Sequence, residues 1–362
     1  MKTYFKKSLL PLLLIISLTS FGQLSVKTNN PSISYMGRVN VQADSASFFW
    51  PGSSATINFQ GTGIKASMRT RGEEGYFYAI VDGKAGDALK FRTADSTETI
   101  SLASNLPAGT HSLQLFKLSN NTSENILYGL EIEGPAKLLA PGKLPRRKIE
   151  FYGNSITAGH GVDVPAGMND SGAPQHFNNY YTYAALTARH FNAQYSCIAR
   201  SGIGIMISWF PEIMPEIYDR LNPMHADSKW DFSKYTPDIV VINLFQNDYW
   251  LTNNPAHPQF KARFGTTKPT EEFIIKSYQN FVSTIRSKYP KAHIICALGN
   301  MNATEAGSKW PGYIREAISR LNDKKAYSVF FPYKDTPGHP KKNEQQAMAD
   351  QLIAFIEKNI KW

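Results

Sequence analysis

The sequence predicts an all-β sandwich of jelly-roll type followed by an α/β domain built on a five-stranded parallel sheet. Three observations predict it. Residues 25–139 read as short alternating strands cut by turn signals. From about residue 145 onward, apolar strand runs alternate with amphipathic helices. Between the two, Pro141-Gly142 and Pro145 punctuate a polar connection.

The chain begins with Lys2, Lys6 and Lys7, then an apolar run at 9–18, then Ser20 and Gly22 three and one positions before Gln23. A basic start, a run of about ten apolar residues and small residues at its exit have the form of a secretory leader over residues 1–22. The run is short for a bilayer span, which takes about 20 residues. Cleavage after Gly22 and a secreted or periplasmic protein without membrane association are therefore expected.

Alternation at 55–59, 63–68, 76–81 and 111–116 puts apolar side chains on one face of each strand. Gly61-Thr62-Gly63, Asp82-Gly83 and Pro107-Ala108-Gly109 separate these runs at short spacing. Helical periodicity is absent here, so the strands must bury their apolar faces against one another. A sandwich over 24–141 satisfies that demand.

Five apolar runs follow, at 149–152, 194–199, 239–244, 293–298 and 327–330, with amphipathic stretches at 271–288, 313–322 and 343–358. Strand and helix in alternation imply a parallel sheet covered on both faces over 145–362. In such sheets the ligand crevice lies beyond the carboxyl ends of the strands. Residues that carry chemistry should therefore stand just after the strand runs.

Candidates do stand there. Gly153-Asn154-Ser155 follows the first run, at a turn where backbone N–H groups point outward and the start of a helix favours negative charge. Alone, the same residues read equally well as a helix cap. Gly202 follows the second run, and Asn247-Asp248 the third; Asn247 offers a neutral amide donor. Ahead of the last amphipathic stretch, Asp335 and His339 lie in a Pro/Gly-bounded loop. Histidine is the usual general base for a serine, and a nearby aspartate can fix its tautomer. Of the other histidines, His160, His176, His225 and His257 lie in irregular stretches and are weaker candidates.

The formal charge of +10 falls to +7 without the three leader lysines. Basic residues are scattered apart from Lys143, Arg146, Arg147 and Lys148, which read as a solvated linker. Without a sustained basic face, nucleic-acid binding is excluded. Cys197 and Cys296 each lie inside an apolar run without metal-ligand spacing, so buried free thiols are expected and no zinc site.

The Gly-Asn-Ser block, the glycine block, the Asn-Asp block and the C-terminal Asp/His block, in that order over 149–362, resemble the SGNH (GDSL-like) hydrolase superfamily. With the sandwich in front, the chain resembles carbohydrate esterase family 2. The resemblance implies a flavodoxin-like three-layer α/β/α hydrolase domain. It further implies a serine esterase that removes O-acetyl groups from plant polysaccharides of the xylan or glucomannan type, without metal or organic cofactor. Its partner would be the acetylated glycan. By the same resemblance Ser155 is the nucleophile and His339 the base, and the N–H groups of Ser155 and Gly202 with the Asn247 side chain form the oxyanion hole.

Two departures accompany it. Phe245 stands where the third block of the superfamily usually begins with glycine, and Asp335 lies four residues before His339 instead of three. Either Asp335 or a backbone carbonyl, that of Pro337, is then the partner of His339. Trp250, two residues after Asp248, is the first choice for stacking on a sugar ring, ahead of Trp209 and Trp310. A broad esterase or lipase-like enzyme on the same fold, and a noncatalytic glycan-binding protein, are the alternative readings.

Overall fold

The structure is a computed structural model that describes residues 22–120 and 122–362. The leader read over 1–22 lies, but for Gly22, outside the described residues. Twelve strands form the N-terminal part: Leu24–Val26 (β1), Ile33–Met36 (β2), Val39–Val41 (β3), Ala46–Phe48 (β4), Ser54–Gln60 (β5), Gly63–Gly72 (β6), Gly75–Val81 (β7), Leu89–Thr93 (β8), Glu98–Ala103 (β9), Thr110–Lys117 (β10), Ser123–Glu133 (β11) and Lys137–Leu138 (β12). They make two six-stranded antiparallel sheets. One runs β3-β4-β11-β6-β9 with β1 on β11, the other β12-β5-β10-β7-β8 with β2 on β5.

Period-two alternation decides which side chains meet between the sheets. In β5, Ala55, Ile57 and Phe59 are buried while Thr56, Asn58 and Gln60 are only half covered. They join Ile64, Ala66 and Met68 of β6 and Leu127, Leu130 and Ile132 of β11 in a single apolar core.

The C-terminal part is a five-stranded parallel sheet of β13 (Lys148–Gly153), β14 (Gln194–Ala199), β15 (Ile239–Asn243), β16 (His293–Leu298) and β17 (Ala326–Phe330), ordered β14-β13-β15-β16-β17. Taken as successive strands this is the order 2-1-3-4-5 of flavodoxin-like sheets, in which the ligand crevice opens at the switch point between the first and third strands. That point lies between β13 and β15. The helices are α1 (Ser155–Ala158), α2 (Tyr183–His190), α3 (Met214–Ile217), α4 (Gln246–Thr252), α5 (Pro258–Phe264), α6 (Glu271–Lys288), α7 (Trp310–Leu321) and α8 (Lys342–Asn359). Ile149 and Phe151 pack with α2 and α8 on one face. Tyr152, Val240 and Ile242 pack with α6 and α7 on the other. Helix α7 starts three residues before the expected 313 because Pro311 sits in its first turn, where its missing N–H costs nothing.

The two parts share their cores. Tyr78 and Phe116 of the sandwich pack on Tyr180, and Phe116 also stacks on Tyr195. The Trp50 indole donates to the Leu221 carbonyl at 2.9 Å, and Lys90 pairs with Asp163 at 2.7 Å. Cys197 and Cys296 are free and buried, with two strands between them in the sheet; burial pushes both thiols up to about 12. Among the described residues no helix is long and apolar enough to cross a membrane.

Candidate active site

Strand β13 ends in Gly153, and the chain turns at once into α1. Asn154 caps this one-turn helix by accepting the Ile156 N–H at 3.0 Å. A Cβ on residue 153 would stand 2.1 Å from Thr157 Oγ1, so the turn closes this tightly only with glycine. Ser155 is the first helical residue and is 3% exposed. Its N–H has no intrahelical acceptor by position. Among the described residues, the N–H groups of Ser155 and Gly202 have no hydrogen-bond partner.

Asn247 lies at the start of α4, beyond the carboxyl end of β15. Its Oδ1 accepts from the Trp209 indole at 3.0 Å and its Nδ2 donates to the Ile203 carbonyl at 2.7 Å. The two bonds assign oxygen and nitrogen and leave the second Nδ2 hydrogen without a partner among the described residues. Its neighbour Asp248 is structural. Its carboxylate accepts from the N–H groups of Ile205, Met206 and Ile207 at 3.0, 2.7 and 3.3 Å. Burial pushes it up to about 6 against the pull of those backbone donors.

His339 lines a cleft of about 950 Å³ together with His160, Asp170, Lys334, Trp209 and Trp250. The partner of His339 is Asp170, which corrects both expectations for it. Asp170 Oδ2 accepts from His339 Nδ1 at 2.5 Å and from the His339 backbone N–H at 3.1 Å. Asp335 instead is exposed, in the left-handed region at φ 44°, a turn conformation that aspartate tolerates better than most side chains. The Pro337 carbonyl receives Lys334 Nζ, at 3.4 Å.

Asp170 serves a second histidine. His160 Nε2 lies 2.9 Å from Asp170 Oδ1, and the His160 and His339 rings stack with centroids 3.9 Å apart and planes 19° apart. His160 Nδ1 lies 2.8 Å from Ser201 Oγ, and the Ser201 N–H reaches Asn120 Oδ1 of the sandwich at 3.2 Å. Glycine at 161 makes room for this carboxylate, since a Cβ there would stand 2.7 Å from Asp170 Oδ2. His160 also ties the cleft to the turn that carries Ser155, because its N–H donates to the Ser155 carbonyl at 3.0 Å.

Burial holds His339 neutral, pushing it down to about 4; the Asp170 bond works against this and the His160 charge with it. Burial opposes ionisation of Asp170 too, but the bonds from His160 and His339 outweigh it and hold the carboxyl far below the usual carboxylate range. The ligand atoms of His160, Asp170 and His339 lie within 4.8 Å of one another, a spacing open to a cation. The near-parallel rings aim one nitrogen at each carboxylate oxygen, however, and not at a shared point as a metal requires.

Trp250 lies on the cleft, its indole 3.3 Å from Asn302 Oδ1. Trp209 is also there, 48% exposed, whereas Trp310 is buried in the core. Phe245 turns inward at φ 86° and packs on Tyr278 and Trp310 with centroids 4.7 and 4.9 Å away. Sequence reasoning missed Asp170 and ranked His160 among the weaker candidates. The usable signal was loop length: α1 is followed by residues 159–173 without helix or strand, and irregular stretches this long are uncommon unless functional.

Residues 35–141 match the family model described as carbohydrate esterase 2 N-terminal, and residues 151–350 match that of the GDSL-like lipase/acylhydrolase family. The cellulase/esterase CelE of Acetivibrio thermocellus is 34% identical over 347 residues, 92% of this chain; the chain spans only 40% of that relative's length. An acetylxylan esterase / glucomannan deacetylase of Cellvibrio japonicus is 25% identical over 93% of this chain and 92% of its own length. Among solved structures, a family two carbohydrate esterase from Clostridium thermocellum in complex with cellohexaose aligns with a TM-score of 0.78. It is 34% identical, with 90% of this chain and 98% of that one covered. The chain therefore belongs to carbohydrate esterase family 2, with the N-terminal domain of that family in front of a GDSL-like hydrolase domain.

Proposed function

We propose that this protein is an exported serine esterase that removes O-acetyl groups from plant cell-wall polysaccharide of the xylan or glucomannan type, through an acetyl-Ser155 intermediate. The observation that carries the reading is the Asp170–His339 pair in the cleft at the carboxyl ends of the parallel strands. With Nδ1–H held by Asp170, His339 keeps Nε2 as the basic nitrogen. That nitrogen takes the Ser155 proton as Oγ attacks the acetyl carbonyl. The N–H groups of Ser155 and Gly202 and the second Nδ2–H of Asn247 receive the oxyanion. His339 then returns the proton to the departing sugar hydroxyl. In the second half it activates water, which releases acetate and restores Ser155.

Two indoles on the cleft, Trp209 and Trp250, suit the faces of sugar rings. The names of the Cellvibrio japonicus relative and of the cellohexaose complex support a glycan substrate. Export rests on the leader-like residues 1–22. The test compares wild type with Ser155→Ala on p-nitrophenyl acetate, acetylated xylan and acetylated glucomannan. Activity of the variant at the wild-type level overturns the assignment. Octanoyl esters turned over as fast as acetyl esters would point instead to a broad-specificity esterase.

A further inference from the structure

Trp209 is fastened to two separate members of the oxyanion hole. Its backbone N–H donates to the Gly202 carbonyl at 3.0 Å, and its indole N–H donates to Asn247 Oδ1 at 3.0 Å. The residue lies on the cleft, 48% exposed, and its ring stands perpendicular to that of His257 with centroids 5.2 Å apart.

We propose that Trp209 is a positioning residue for the oxyanion hole: the indole N–H locks the Asn247 amide so that its second Nδ2–H faces the developing charge. The inference rests on the reading of Gly202 and Asn247 as oxyanion donors. An amide has two orientations that differ by exchange of O and N. In the orientation present, Oδ1 meets a donor and Nδ2 meets the Ile203 carbonyl at 2.7 Å. The exchanged orientation sets oxygen against the Ile203 carbonyl and NH2 against the indole N–H, and presents lone pairs to the oxyanion. Trp209 supplies one of the two contacts that forbid it.

Because Asn247 is 2% exposed, water is poorly placed to substitute for the indole. The same ring is a wall of the cleft, so a sugar resting on it presses on the group that fixes the catalytic amide. Binding on this wall is thereby coupled to the stabilisation of the transition state, and discrimination between glycan and simple ester enters through kcat as well as KM.

The test is a double-mutant cycle of Trp209→Phe with Asn247→Ala, read as kcat on p-nitrophenyl acetate, whose acyl group is right but which carries no sugar. Phenylalanine keeps an aromatic face and loses the N–H. We expect Asn247→Ala to lower kcat by about 10²–10³, the usual loss on removing one oxyanion donor. Trp209→Phe should lower kcat about tenfold with KM within about twofold, and should lower it less than about twofold further in the Asn247→Ala background. A Trp209→Phe enzyme with wild-type kcat overturns the inference, and so does an equal loss in both backgrounds, which would mean that the indole acts by another route. If Asn247→Ala itself keeps wild-type kcat, the oxyanion reading falls and this inference with it. If Asn247→Ala is impaired and Trp209→Phe is not, only this inference falls. Thermal melting of each variant controls for folding, and the exposed position of Trp209 makes Phe a mild change there.

Discussion

Asp170 holds His339 twice, through the ring Nδ1 at 2.5 Å and through the backbone N–H at 3.1 Å, although 169 residues separate them in the chain. Its other oxygen holds His160 at 2.9 Å. Asparagine at this position has one oxygen for two histidines and meets the second with an NH2 group. Asp170→Asn is therefore expected to lower kcat by about 10³–10⁴, the scale of losing the tautomer-fixing acid of a triad. Asp335→Asn, on an exposed residue, should stay within about twofold of wild type. Steady-state kinetics on p-nitrophenyl acetate separate the two. A crippled Asp335→Asn beside an intact Asp170→Asn would return the role to Asp335.

With His339 as the proposed general base, its low proton affinity would set the acid limb of the pH profile. A general base acts only while neutral, so kcat/KM falls as pH drops through its pKa in the free enzyme. Burial lowers that value from 6.5 to about 4, and the limb should move down with it. Activity on p-nitrophenyl acetate is then expected to stay nearly flat from pH 7 to about pH 5 and to be half lost near pH 4. A limb centred at 6.5 or above would show that the Asp170 charge outweighs burial.

Which parts were legible in the sequence follows from the physical range of each signal. Alternation along β5 and the apolar runs of β13 to β17 are local, and each marks its strand and its buried face. Ser155, Gly202 and Asn247 follow strand ends, where the topology of a parallel sheet sends any catalytic group. The Asp170–His339 contact has no local signature. Asp170 sits in an aperiodic loop, and proximity in sequence favoured Asp335, whose left-handed turn leaves it exposed. His160 was discounted for the same reason, since an irregular stretch reveals nothing of where its side chains converge. The inward course of Phe245 has no local signature either, since the residue type does not show which way the ring turns; the packing on Tyr278 and Trp310 does.

Arg38 and Glu150 form an ion pair between the sandwich and the first parallel strand, 3.2 Å apart with both side chains wholly buried. Arg38 also donates to the carbonyls of Tyr218 and Arg220 at 2.6 and 3.0 Å, and the Tyr289 hydroxyl donates to Glu150 at 3.0 Å. Desolvation of such a pair offsets much of its attraction, so its removal as a unit is tolerated far better than the loss of one partner. Arg38→Met should cost about 3–5 kcal/mol because it strands a buried carboxylate. Arg38→Met with Glu150→Gln should recover more than half of that. Urea denaturation of the two variants measures the difference, and equal losses would contradict the argument.

Phe245 combines an unfavourable backbone with favourable packing. At φ 86° a bulky residue bears strain of about 1–3 kcal/mol. Its ring is wholly buried against Tyr278 and Trp310, and truncation of such a ring costs about 3–5 kcal/mol. Packing wins, which explains how phenylalanine persists at a position shaped for glycine. Both Phe245→Ala and Phe245→Gly are thus expected to destabilise the protein. Their order should be the reverse of the usual one. Alanine ordinarily exceeds glycine by about 0.4–1 kcal/mol, but here alanine keeps the strain that glycine relieves, about 1–2 kcal/mol in the left-handed region. Glycine at 245 should therefore be the more stable of the two by about 1 kcal/mol, read as a higher Tm. An alanine variant that melts above the glycine variant would show that the positive φ costs this backbone nothing.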